Sequence, residues 1–219
     1  NIHNENFFRS EIINMLKLKL TYGLTGNSRI ATSASGTYTL SDSYSYKNVS
    51  GAVIGTVPNP GLSWESVHTL NAGVVIGLKN IMDIELEAYQ KYTTDMLAKV
   101  YVSRTITEDS VYANVGKLSN NGIELSLTSY NFNRRDFQWT TRLNLDHRKN
   151  KLLDYNGGYR SFGDSIWMEG YDTSTWYLVR WAGVDPTDGS PMWYDKDGNL
   201  TKTYSADNRV PDKNSTPIL

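Results

Sequence analysis

The sequence predicts an all-β chain whose strands form an antiparallel sheet laid out like part of a transmembrane β-barrel. Three observations carry this. Apolar residues recur at every second position over long runs, which is the period of an extended strand. Polar and charged residues fill the alternate positions. The connections between these runs are short and long by turns, so that all short turns fall at one end of an antiparallel sheet and all long loops at the other.

Five runs make the case in order. In the first, Leu16, Leu18, Leu20 and Tyr22 share a face opposite Lys17, Lys19 and Thr21. In the second, Leu70, Ala72, Val74, Ile76 and Leu78 oppose Thr69, Asn71, Gly73 and Gly77. The third sets Met82, Ile84, Leu86 and Ala88 against Asp83, Glu85 and Glu87. The fourth sets Ile123, Leu125 and Leu127 against Glu124, Ser126 and Thr128. The fifth sets Phe137, Trp139, Leu143 and Leu145 against Gln138, Arg142, Asn144 and Asp146. Runs two and three are separated only by 79–81, and runs four and five by roughly 131–135. Long connections occupy 24–65, 95–113 and 151–219, the last with no comparably long alternation. The segment 5–14 is at most one short helix or turn.

A soluble β-sandwich also alternates. Against it, the apolar face reaches about nine residues, which matches the roughly 9–11 of a membrane-spanning strand. The opposite face carries Lys17, Lys19, Glu85, Glu87 and Arg142, suited to a wet lumen, and Tyr22, Tyr92, Tyr130 and Phe137 lie near the run ends, where aromatic girdles belong.

Composition narrows the function. The chain has 219 residues, 22 Lys+Arg against 23 Asp+Glu, and no cysteine. The balanced charge offers no basic footprint for nucleic acid. Without cysteine there is no disulfide framework, thiolate zinc site or cysteine nucleophile. No run of 18 apolar residues forms a membrane helix. The chain opens without Met and without a secretory signal pattern, which reads as a processed chain or a piece of a longer one.

Catalytic constellations are weak. His3, His68 and His147 are scattered. Glu85 and Glu87 share a face and could mimic a glycosidase pair, but a polar lumen explains them more simply. The run Asp195-Lys196-Asp197-Gly198-Asn199 resembles the start of a calcium loop, yet lacks its closing acidic ligand and reads better as an Asp-Gly hairpin turn. No catalytic residue, metal site or cofactor is expected.

The residues also carry a resemblance. LKLKLTYGLTGN at 16–27, VPNPGLSWESVHTLNAGVVIGL at 57–78, EAYQKYTTDML at 87–97, NVGKLSNNGIELSL at 114–127 and WAGVDPTDGSPMWYDKDGN at 181–199 follow one another as in the SusC/RagA-like TonB-dependent outer-membrane transporters. The resemblance implies a larger, 22-stranded barrel closed by a plug. Nothing here resembles the plug or the TonB-contacting segment, so residues 1–219 are expected to be one partial barrel domain, an interior piece from the C-terminal part of the barrel. It further implies outer-membrane localisation in a Gram-negative bacterium of the Bacteroidota, import of glycans or sometimes peptides, a SusD-like surface lipoprotein as lid, and energy from TonB through the missing part. The alternative is a soluble all-β carbohydrate-binding module; a β-rich glycoside hydrolase has the least support.

The segment from Tyr155 to Tyr194 holds ten aromatics. Flat rings beside Asp and Asn suit sugar recognition, and Trp167, Trp176 and Tyr177 are the expected substrate-contacting residues. Packing of these rings against the barrel rim or a partner is the competing explanation. Trp181 and Trp193 fall in the family's G-V-D-P segment and are expected to be structural.

Overall fold

The computed structural model describes residues 2–27, 35–47, 49–79, 81–101, 110–156 and 158–215. Parts of each long connection, at 28–34, 102–109 and 216–219, lie outside the described residues, as does position 80 in the first short turn. Two compact units emerge, one over Asn1–Lys149 and one over Asn150–Ile218.

Sixteen strands occur among the described residues. The first unit holds β1 (Ile13–Asn27), β2 (Thr37–Tyr46), β3 (Val49–Thr56), β4 (Glu65–Leu78), β5 (Met82–Thr94), β6 (Leu97–Tyr101), β7 (Ser110–Asn114), β8 (Gly116–Asn133) and most of β9 (Gln138–Tyr155). The second holds β10 (Tyr159–Phe162), β11 (Ser165–Met168), β12 (Thr175–Leu178), β13 (Trp181–Val184), β14 (Pro191–Tyr194), β15 (Leu200–Thr201) and β16 (Val210–Asn214). Ahead of β1 the described residues hold a 3-10 turn, Ile2–Asn4, and a hydrogen-bonded turn from Glu5 to Phe8.

The five alternating runs are the cores of β1, β4, β5, β8 and β9, which line up in that order in one sheet. The pairings β1–β4, β4–β5 and β5–β8 are antiparallel. Hairpins β2–β3 and β6–β7 fill the first two long connections. The sheet's strands run 13 to 18 residues, longer than the apolar runs. Strand continues past Tyr22 toward the long connection and past Tyr130 toward the short turn, so both sit inside their strands rather than at their tips.

Register explains the stability of the alternation. Leu18 pairs with Val74, Val74 with Leu86, and Leu86 with Leu125, which makes one apolar row across four strands. Above and below it run Leu16–Ile76–Ile84–Leu127 and Leu20–Ala72–Ala88–Ile123. Cross-strand neighbours of this kind touch directly, and a one-residue slip would turn every row to the other face. These rows are not a protein core. Leu18, Leu20 and Leu24 remain 62%, 76% and 61% exposed. A sandwich would cover this face with a second sheet; an apolar surface this large needs a nonaqueous neighbour. The fully buried side chains lie elsewhere: Leu152 and Ile166 in the second unit.

Candidate functional site

The inner wall is built by the residues between the apolar rows. Lys19 pairs with Gly73, Gly73 with Glu87, and Glu87 with Glu124. Next to it run Lys17–Val75–Glu85–Ser126 and Thr21–Asn71–Tyr89–Gly122. The pleat alone puts these residues on the face opposite the leucines. The Lys19 ammonium donates to the Glu85 carboxylate across one strand, and both remain partly exposed. Asn71 Nδ2 donates to Thr21 Oγ1 at 3.1 Å, and the Tyr130 hydroxyl donates to Asp83 Oδ2 at 2.7 Å. Glu85 is thus spent on a cross-strand ion pair, as a solvated lumen wall would use it. Val75 is the apolar exception within these three rows.

The second unit positions the three expected contact residues through a small sheet, β10–β11–β12–β16. Arg160 pairs with Trp167, Phe162 with Ser165, and Ser165 with Trp176. Alternation therefore places Arg160, Phe162, Trp167 and Trp176 on one face. Ile166 and Thr175, each 2% exposed, point to the other, and Tyr177 follows them. So the sheet brings the two tryptophans together and turns Tyr177 away. Gly163 makes the turn between β10 and β11 with φ 70°, a left-handed conformation that favours glycine. Trp167 packs edge-on against Phe162 at 5.2 Å and Tyr155 at 6.2 Å between centroids. Trp176 is 40% exposed. Arg160 stacks over Phe162 at 4.9 Å, a partner that composition alone did not single out.

A separate three-stranded sheet, β13–β14–β15, carries the rest of the aromatic segment. Trp181 faces Trp193 edge-on at 5.7 Å, and Trp193 meets Tyr204 at 5.6 Å. These two tryptophans hold the hairpin together, as expected of structural residues. Lys202 bridges the β13–β14 turn with Asp185 Oδ2 at 2.6 Å and Asp188 Oδ2 at 2.8 Å. That ammonium, with the Thr187 hydroxyl and N–H, holds the Asp185 carboxyl well below the usual carboxylate range. Lys202 likewise holds Asp188 down, and the two carboxylates hold Lys202 up. Asp195 accepts the N–H groups of Asp197 at 2.9 Å and Asn199 at 2.8 Å, closing the β14–β15 hairpin. The Asp-Gly segment is a turn, and no group of three or more metal-ligating side chains occurs among the described residues.

Residues 14–217 match the family described as TonB dependent receptor-like, beta-barrel. The chain belongs to this TonB-dependent receptor family. TonB-dependent receptor P39 of Formosa agariphila is 29% identical over 94% of this chain and 20% of its own length. TonB-dependent receptor SusC of Bacteroides thetaiotaomicron is 24% identical over 99% of this chain and 21% of its own. A solved structure of the RagAB peptide transporter matches with a TM-score of 0.86 and 30% identity, over 99% of this chain and 25% of that one. The SusC/RagA likeness read from the motifs is shown, and with it the all-β barrel fold. This TonB-dependent receptor chain spans about a fifth of the length of these curated relatives.

Proposed function

We propose that the chain is part of the barrel wall of an energised outer-membrane importer of a Gram-negative bacterium. The observation that carries this is the register: apolar rows across four strands, left exposed on one face, with ionic rows on the other. Lipid solvates the first face and lumenal water the second. Five strands do not close a lumen, and open sheet edges are not tolerated in hydrocarbon, so transport belongs to the longer protein. On this reading a plug and a TonB-contacting segment lie outside the chain, TonB supplies energy, and a SusD-like surface lipoprotein caps the barrel.

The long connections face outward, since the short turns suit the periplasmic side. The cargo is a glycan, with a peptide as the second choice because the solved relatives are named as peptide importers. Flat rings with Asp164 and Asp172 close in sequence favour the glycan. Trp167, Trp176 and Tyr177 are proposed to contact the cargo or the lid. The reading is tested by deleting the gene of the full-length parent and measuring uptake of labelled oligosaccharide and oligopeptide pools. Loss of one pool, restored by the parent gene, supports import and names the cargo. Unchanged uptake of both, with the parent in the outer membrane, would overturn it.

A further inference from the structure

The outward face is not uniformly filled. In the row Leu20–Ala72–Ala88–Ile123 the two central strands carry only alanine, whereas the rows nearer the short turns carry Val74 with Leu86 and Ile76 with Ile84. The missing side-chain volume leaves a shallow groove of about 540 Å³. Leu70, Ala72, Ala88 and Ile123 form its apolar floor and sides. Gln90, Asn121, His147 and Lys149 line it as well. All four polar residues are exposed.

Two facts place the groove on the outside of the wall. Its floor residues alternate with the lumenal Asn71, Glu87 and Glu124 along their strands. On β9, His147 and Lys149 continue the alternation of Leu143 and Leu145, opposite Arg142, Asn144 and Asp146, so they share the outward face. The groove also has a definite depth. It lies where the apolar rows give way to Gln90 and Asn121, at the end of the sheet that carries the long connections.

We propose that this groove is a binding site for a phosphorylated, acylated glycolipid of the outward leaflet, of the lipid A type. An acyl chain lies on the alanine shelf, where bulkier side chains would hold it off. Lys149 meets the phosphate as a point charge at the polar boundary, and His147 adds a ring nitrogen beside it. The Gln90 and Asn121 amides offer donors and acceptors to sugar hydroxyls, which favours a glycolipid over a phospholipid. The site rests on the outer-membrane reading above and would tether the wall to its own leaflet at the level where the long connections leave the membrane.

Native mass spectrometry of the full-length parent, purified in mild detergent and offered monophosphoryl lipid A, tests it. Its dephosphorylated counterpart and phosphatidylglycerol serve as comparison lipids. Bound monophosphoryl lipid A should exceed both, and Lys149→Gln with His147→Gln should lower it roughly tenfold, the scale of one charge-assisted contact. Ala88→Leu fills the shelf without touching the charge and should also lower it, with heat-modifiable mobility on gels confirming a folded barrel. Equal retention of lipid A by the parent and both variants, or equal retention of the phosphorylated and dephosphorylated forms, would overturn the site while leaving the importer reading intact. A parent that fractionates away from the outer membrane would remove both.

Discussion

Tyr89 lays its ring across the bare backbone of Gly122, the residue directly opposite it on the next strand. A Cβ added to Gly122 would stand 2.4 Å from Tyr89 Cζ. The glycine is therefore a socket for the ring, and the pair clamps β5 to β8 on the inner face. Gly122→Ala should destabilise the barrel by roughly 1–3 kcal/mol, the usual cost of overpacking. Tyr89→Ala in the same background should recover part of that loss. Urea unfolding of the parent in detergent reads both; additive losses would mean that the two residues do not interact.

The row through Leu86 sets a charge contrast with its neighbour. Leu86→Arg should cost roughly 2–4 kcal/mol if the row lies at the bilayer midplane. Glu87→Arg should cost far less. It replaces one half of the like-charged Glu87–Glu124 pair with an attractive partner in water. Equal assembly defects at the two sites would point to a sheet buried on both faces.

Single-cysteine labelling extends the contrast across the wall. A polar maleimide should leave cysteines at Leu18, Val74, Leu86 and Leu125 unmodified in intact membranes, and modify those at Lys19, Glu87 and Arg142. Ready reaction at the leucine positions would show the register to be wrong.

The Lys202 clamp has a pH window. Asp185 and Asp188 are depressed in the folded state, so their contribution is present above the ordinary carboxylate range near 4 and fades as pH falls through their lowered values. Lys202 is raised, so its contribution is complete below about 10.5 and fades only as pH climbs through its higher folded value. Hydrogen-exchange protection of the 185–190 turn should therefore hold between about pH 5 and 10 and drop in acid. All three groups are solvated, so added salt should weaken the effect. Lys202→Met should flatten the acid drop; an unchanged profile in that variant would show that the clamp does not carry the protection.

Trp176 and Trp167 should separate when each is changed to alanine. Trp176 is the more open ring, and Trp176→Ala should weaken capture or uptake at unchanged surface abundance. Trp167 braces Phe162 and Tyr155, so Trp167→Ala should lower abundance as well as uptake. Tyr177→Phe, on the opposite face, should do less than either. Normal uptake at normal abundance in both tryptophan variants would remove them from the binding surface.

The five long strands were legible because a lipid-facing residue has one requirement, apolarity, repeated at every second position. The parts outside the bilayer lose that signal. In β8 the stretch Lys117, Leu118, Ser119, Asn120 and Asn121 shows no apolar face, yet it pairs, because Tyr92 on β5 already presents its backbone to Ser119. The β2–β3 hairpin hides for the same reason: Thr37 to Tyr46 is Thr, Tyr, Ser and one Asp with a single leucine. The aromatic segment was legible as a composition but not as a surface. Whether Trp176 and Tyr177 shared a face with Trp167 depended on the pairing of Ser165 with Trp176, which the chain reaches through the connection 169–174, with Gly170 at φ 87°, and which no property of the rings announces.

The rows also count residues only inside the strands. Leu18, Val74, Leu86 and Leu125 meet whatever the length of chain that loops out between β1 and β4 or between β5 and β8. Inserting one residue between 83 and 93 would rotate leucines into water and glutamates into lipid. Inserting ten between 35 and 60 would disturb no row. The wall thus behaves as a frame with interchangeable crests. The crests can be lengthened or trimmed without moving a row, whereas each residue of the wall is tied to its face.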